Sequence, residues 1–509
     1  MSAPLNPIST RGLRVEVLDD DAIARIHEAT LHVIEHVGVR FPSARALDLW
    51  EAAGASVDRP SSVVKVSKAT IETALKTAPP VYPLAARDPA LDLSLDGQHV
   101  YAATDGCGIE VADLETGERR PSRLSDVAEI ARLADALDEV AFHWIPVSAQ
   151  DRPAVSRSLH ELLACWANST KHVQTESIVT EREARAAVEM AAAIAGGREA
   201  LRARPVLSMM QCTTSPLGHD GGSLDAGLVA AEAGIPVGYM TMASAAFTGP
   251  ATVAGSLVVG NAEVISALAL VQIAYPGSPV YYAAAQTAID LRSGAYTGGG
   301  PEDFLFGAAT NALADFYCVP LSMGAFATGA KAPDWQAGVE NALSAFLASA
   351  AGSDMLLGLG LLNGSRIFSH EQLLLDAEIY SVVRATLKGI PVDDESLALE
   401  AIAEVGPAGD YLTSPHTRRH MRSMWKPRFM DRRPMGVVEV DGGGPRAWAN
   451  ARARELLATH VPEPLEPALA AELARVVGTL EREAGEETSP TVVDELAASV
   501  AAGAAGVAR

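Results

Sequence analysis

Between residues 215 and 390 the sequence alternates apolar strand-like runs with long amphipathic stretches, and polar residues gather where the strand-like runs end. Strands that alternate with helices in this way lie parallel, and a sheet of them closes on itself as a (β/α)8 TIM barrel. Chemistry in that fold sits on loops at the C-terminal ends of the strands, so those ends are where functional residues are sought.

The barrel can be counted from about residue 135. Apolar strands fall at residues 140–147, 171–175, 205–211, 235–241, 279–285, 319–324 and 354–361, each followed by a helical pattern. Residues 435–440, "MGVVEV", supply the expected eighth strand, after helices at 394–404 and 415–424. Earlier in the chain, residues 20–37 and 43–54 read as helices, and 62–67, 91–95 and 100–103 as short strands broken by Pro and Gly. The expected organisation is an N-terminal α+β appendage over 1–134 and a catalytic barrel over 135–445. C-terminal helices at 445–459 and 465–483, with a polar, then Ala/Gly-rich tail, complete the chain over 446–509.

A length of 509 residues exceeds the roughly 250 of a bare barrel, which leaves room for these additions. With 48% hydrophobic and 20% charged residues the chain suits a large soluble core. It has no uninterrupted apolar run of about 18 residues and no apolar leader segment, so a cytoplasmic protein is expected. A net charge of −23 repels nucleic acid and anionic membranes, and neither is expected as a partner. Cys107, Cys165, Cys212 and Cys318 lie far apart without a CxxC pair, and HExxH and HxH patterns are absent, so no metal site is expected. "GAFATGAK" lacks the GK[ST] ending of a phosphate loop, and "GLGLLNG" lacks the GxGxxG spacing of a dinucleotide loop.

Several segments carry a resemblance. "SPLGHDGGSLDAGLVAAEAGIPV", "DLRSGAYTGGGPEDF" and "FSHEQLLLDAEIYSVVRATLKGI", with the N-terminal "LDDDAIARIHEATLHVIEHVGVRFPSARALDLWEAAGASVD" and the C-terminal "RARELLATHVPEPLEPALAAEL", resemble the trimethylamine methyltransferase family nearly end to end. The resemblance implies an N-methyltransferase that takes a methyl group from an amine and gives it to the cobalt of a separate corrinoid protein. Pyrrolysine, used by archaeal trimethylamine members, does not occur here. The chain therefore resembles the branch acting on quaternary amines such as glycine betaine. Separately, long Ala-rich helical stretches at 253–274 and 338–351 suit subunit packing, and a homo-oligomer is expected. Direct transfer to tetrahydrofolate remains an alternative. So do a trimethylamine donor, another barrel enzyme such as a lyase, and a binding subunit without turnover.

Rim positions follow from the strand count: Gln150, Asp151, Glu176, Gln211, Thr241, Met242, Gln286, Thr328, Lys331, Asn363 and Glu439. A quaternary ammonium donates no N–H hydrogen bond, so aromatic faces recognise it, each desolvated contact contributing about 2 kcal/mol. Phe247, Tyr282, Tyr296 and Phe326 are the aromatic candidates, and only one of Tyr281 and Tyr282 can face the interior because a strand alternates its side chains. For a betaine carboxylate the candidates are Arg292, Lys331, His219, Arg366 and His370. Asp290, Lys331 and Glu371 fall in segments that recur in the family, which implies catalytic roles for them. The plain alternatives are a pairing of Asp290 with Arg292 and a helix cap at "SHEQ", where Ser369 and Gln372 stand at the i, i+3 spacing. The basic run 418–433 suits an acidic partner or surface salt bridges.

Overall fold

The computed structural model describes residues 7–9, 13–106, 108–296, 298–434 and 443–485. Eight parallel strands form the barrel: β1 (His99–Thr104), β2 (Val140–Trp144), β3 (His172–Thr175), β4 (Leu207–Cys212), β5 (Val237–Thr241), β6 (Val280–Ala284), β7 (Leu321–Gly324) and β8 (Met355–Leu359). Closure is direct, since β8 pairs in parallel with β1 through Met355 with Tyr101 and Leu359 with Thr104. The expected TIM barrel is therefore present.

The first strand corrects the sequence reading. Residues 100–103 read as part of the appendage, but β1 pairs with β2 and β8 and is buried along nearly its whole length. Its short "HVYAAT" run lies between a Gly-containing turn and "DGCG", which makes it look like a fragment, although a strand buried on both faces needs only a few continuous apolar residues. The expected strand at 435–440 and Glu439 lie outside the described residues, as do Cys107 and the tail from residue 486.

Eight main helices clothe the barrel: α1 (Leu124–Asp135), α2 (Arg157–Asn168), α3 (Glu181–Ala195), α4 (Gly221–Ala233), α5 (Val253–Ala274), α6 (Pro301–Tyr317), α7 (Trp335–Ala351) and α8 (His370–Leu387). Caps define their starts, as where Thr180, Asp220 and Ser369 accept backbone N–H groups of the first turn. α5 is apolar around most of its circumference because the barrel lies on one side and the appendage helices on the others. It is long and apolar enough to cross a membrane, yet 78% of its most apolar window is buried inside the protein. α9 (Pro445–Thr459) packs on α8, and α10 (Pro467–Ala484) packs on α3.

Alternation along the strands sorts side chains into two layers. Tyr101, Phe142, Met210, Met240, Tyr281, Ala283, Met355 and Leu357 fill the interior as one apolar cluster. A hairpin, Tyr82–Leu84 with Leu93–Leu95, plugs the N-terminal end with Leu84, Leu93 and Leu95, and Tyr82 Oη donates to the Val280 carbonyl at 2.8 Å. The opposite end is left for ligands.

Candidate active site at the barrel mouth

Two carboxylates, an indole and sulfur atoms meet at the C-terminal ends of β1 to β5. β1 ends at Thr104, whose hydroxyl donates to the Trp144 carbonyl at 2.5 Å and ties the ends of β1 and β2 together. Asp105 follows. It is buried, accepts hydrogen bonds from Ser365 Oγ at 2.5 Å and from the Gly106 N–H at 2.7 Å, and pairs with no cationic side chain among the described residues. Burial without a counter-charge pushes its carboxyl up to about 6, against the pull of those two hydrogen bonds. Gly106 has a steric reason: a Cβ there would sit 2.1 Å from the Trp144 indole, so only glycine lets that ring lie against the strand end.

β3 directs His172 and Gln174 inward and delivers Glu176 just beyond its end. Cys212, last residue of β4, places Sγ 3.8 Å from Glu176 Oε2. Burial, then the charges of Glu176 and Asp105, push the thiol well above its ordinary value. Met242 and Ala285 continue the wall past β5 and β6, and Gly324 ends β7 with a hypothetical Cβ only 3.2 Å from Ala285 Cβ. The mouth therefore presents sulfur and carboxylate groups near β1 to β5 and small residues near β6 and β7.

Loops after β6, β7 and β8 build the far rim. Glu340 accepts from Thr328 Oγ1 at 2.5 Å and from the Gly329 N–H at 2.9 Å, fixing the β7 loop. The Asn363 and Gly364 N–H groups donate to the Ala330 and Thr328 carbonyls, which draws the β8 loop alongside. Tyr296 packs its ring against Gly364, with its hydroxyl 3.5 Å from the Ala285 carbonyl. Of the residues singled out from sequence, Tyr296 and Asn363 thus come together at this rim. Asp290 is half-buried at the turn of the preceding hairpin, where its carboxylate accepts the Arg292 N–H at 2.7 Å. Arg292, Lys331 and Arg366 are exposed, and Lys331 Nζ donates to the Gly329 carbonyl.

The other candidates have other surroundings. Tyr282 faces the helix layer, and Tyr281 is the inward tyrosine, donating to the Met209 carbonyl at 2.8 Å. Gln211 donates to the Ile178 carbonyl in the loop after β3, and Gln286 to the Ser256 carbonyl of α5, so both hold neighbouring segments in place. His219 lies between Phe41 and Tyr239, with ring centroids at 4.8 and 5.9 Å, and burial holds it down to about 3. Phe326 is fully buried beneath Gly358, whereas Phe247 is 76% exposed. His370 lies 3.0 Å from Glu129 of α1. Glu371 accepts from Ser369 Oγ and Asn450 Nδ2 beneath α9, and Ser369 caps α8 as the capping alternative required.

Asp105 and Trp144 escape a reading of the sequence because β1 looks like part of the appendage and the apolar run of β2 continues past Trp144 into the loop. The polar "TDG" after an apolar run was the available signal. Glu176 and Met242 were legible as rim residues because β3 and β5 were counted correctly.

Known proteins resemble this chain over nearly its whole length. Residues 2–485 match the trimethylamine methyltransferase (MTTB) family. The trimethylamine methyltransferase MttB of Desulfitobacterium hafniense (strain DSM 10664 / DCB-2) is 34% identical over 477 residues, covering 93% of this chain and 96% of that protein. The glycine betaine methyltransferase of Desulfitobacterium hafniense (strain Y51) is 32% identical over 477 residues, covering 93% and 99%. The Methanosarcina barkeri monomethylamine methyltransferase structure aligns with a TM-score of 0.47 at 12% identity, over 88% of this chain and 95% of that one. The chain belongs to the trimethylamine methyltransferase family and is a methyltransferase.

Proposed function

We propose that the protein demethylates a quaternary amine, with glycine betaine or a related betaine as the first substrate to test, and passes the methyl group to Co(I) of a separate corrinoid protein. The observation that carries this reading is Asp105, a buried carboxylate without a cationic partner among the described residues, beside the Trp144 indole and near Glu176. Leaving such a carboxylate uncompensated is costly, and a bound organic cation relieves that cost. A trimethylammonium group offers positive charge without N–H donors and suits the indole and the Met242 and Cys212 sulfur atoms. Arg292, Lys331 and Arg366, exposed on loops after β6, β7 and β8, are suited to a substrate carboxylate. The glycine betaine relative supports this choice of substrate.

The chemistry asks little of the protein beyond binding and aim. In-line attack on one methyl carbon forms the new bond as the C–N bond breaks. The electron pair stays on nitrogen, so the product leaves as a neutral tertiary amine without needing a proton. Orientation is the main contribution, and it can supply several kcal/mol of the barrier. The nucleophile would come from the corrinoid partner, which is a second substrate here.

The test is a panel of quaternary amines with the full-length protein and either Co(I) cobalamin, carried by a corrinoid protein or free, or tetrahydrofolate, followed by NMR for the demethylated amine. Dimethylglycine from glycine betaine with the cobalt acceptor is the expected result. Turnover with tetrahydrofolate alone would overturn the acceptor, and turnover of trimethylamine but of no quaternary amine would overturn the donor.

A further inference from the structure

The segment between α8 and α9 forms an arm whose apolar side chains have no cover among the described residues. Its three short helices, Asp394–Leu397, Leu399–Val405 and Pro415–His420, contain no buried residue. Ile390, Val392, Leu399, Leu412 and Met424 are 68–89% exposed, and five further large apolar residues of the arm are also exposed. Monomeric proteins rarely display so continuous an apolar set. The arm is nevertheless anchored at its far end. Phe429 is buried, Trp425 Nε1 donates to Ser381 Oγ at 3.1 Å, and Arg428 bridges Glu139 and Glu378 at 2.6 and 3.3 Å.

Charge along the arm says what covers it. Residues 393–410 hold six acidic residues and no Lys or Arg, whereas residues 418–433 hold seven Lys or Arg and one Asp. One contact joins the halves within the chain: Glu395 lies 3.2 Å from both Arg419 and His420. Glu400, Glu404, Arg418, Arg422 and Lys426 form no ion pair among the described residues. A segment that is acidic in one half, basic in the other and apolar throughout is complementary to its own copy turned by a twofold axis, which brings each acidic half against a basic half. We propose that the arm, residues 390–430, is the surface through which two copies of this chain associate, arm against arm, with a closed twofold interface.

This geometry makes a distinctive prediction. Within the acidic half, Glu400→Arg with Glu404→Arg replaces two of the six acidic residues and sets arginines against the basic half at both ends of the pair. Within the basic half, Arg418→Glu with Arg422→Glu replaces two of the seven basic residues and sets glutamates against the acidic half. Mixing the two variants restores opposite charges at both ends. Mass should be measured by sedimentation velocity on the full chain at low salt, with circular dichroism to check that each variant folds. The expected results are an associated wild type, at least tenfold weaker association for each variant alone, and recovery when they are mixed 1:1. Leu399→Asp with Leu412→Asp should dissociate the pair without recovery in either mixture. A monomeric wild type, association unaffected by these changes, or variants that weaken association but do not recover on mixing would each overturn the proposal.

Discussion

Sγ of Cys212 lies 3.8 Å from Oε2 of Glu176, and the two residues come from the ends of adjacent strands β4 and β3. A thiol beside a carboxylate in a largely enclosed site resists ionisation, because a thiolate would be desolvated and repelled together. Alkylation requires the thiolate. Treatment with iodoacetamide at pH 8, read by peptide mass spectrometry, should therefore label the exposed Cys318 far faster than Cys212. Equal labelling of both would show that the carboxylate does not control the thiol.

Asp105 links binding, stability and pH. Its carboxyl sits at about 6 in the folded protein against an ordinary 3.8, so between those values the native state holds a proton that the unfolded chain has lost. The sign follows: this group's stability contribution is fully present below about 3.8 and is lost as pH rises through about 6. A shift of about two units corresponds to at most about 3 kcal/mol. Asp105→Asn should raise Tm at pH 8 and flatten the stability profile between pH 4 and 7. The same substitution should weaken quaternary amine binding about 10- to 100-fold by calorimetry. Wild-type affinity should fall as pH drops below about 6, where the carboxyl becomes neutral. A variant that is more stable but binds undiminished would remove Asp105 from the cation site.

How far the site was legible from sequence depends on which strand each residue follows. Seven strands announced themselves because their apolar runs are followed by amphipathic helices, and the residues just past β3 and β5, Glu176 and Met242, were placed at the mouth on that basis. β1 escaped because it is short, flanked by glycine, and followed by strands and turns (Glu110–Ala112 and Arg119–Pro121) before its helix α1. Asp105 went with it. Tyr282 and Gln211 failed for a different reason: period two says that neighbours point to opposite layers, but only the pairing register says which one faces inward. Glu371 looked catalytic by its segment, and its role beneath α9 rests on Asn450, some 80 residues on, a contact that no local pattern encodes.

Gly106 tests whether the Trp144 indole must occupy its observed position. A methyl group added there would lie 2.1 Å from the ring, well inside contact distance, so Gly106→Ala must move either the indole or the β1 end. The cost expected for such overpacking is about 1–3 kcal/mol. Trp144→Leu removes the aromatic face and leaves an aliphatic side chain in its place. If the indole contacts the ammonium, it should weaken substrate binding by about 2 kcal/mol, roughly 30-fold. Both variants should raise KM more than they lower kcat, and a loss confined to thermal stability would mark Trp144 as packing alone.

Glu263 of α5 holds the mouth from behind. Its carboxylate accepts four hydrogen bonds, from Thr213 Oγ1 at 2.6 Å, Ser215 Oγ at 2.8 Å, the Leu217 N–H at 2.8 Å and Thr241 Oγ1 at 2.9 Å. It thereby fastens the β4 loop to the end of β5. Burial raises its carboxyl while those four donors lower it, and burial is the larger effect. Glu263→Ala would strand several donors in a dry interior, each costing about 1–3 kcal/mol, so a large loss of stability is expected. Glu263→Gln keeps the shape and part of the accepting capacity, and should fold with a smaller loss, measured by urea unfolding. Because the β4 loop follows Cys212 directly, Glu263→Gln should also loosen the mouth, raising KM with little change in the pH profile. A Glu263→Ala protein of unchanged stability would show that the β4 loop is held by its own packing against the appendage.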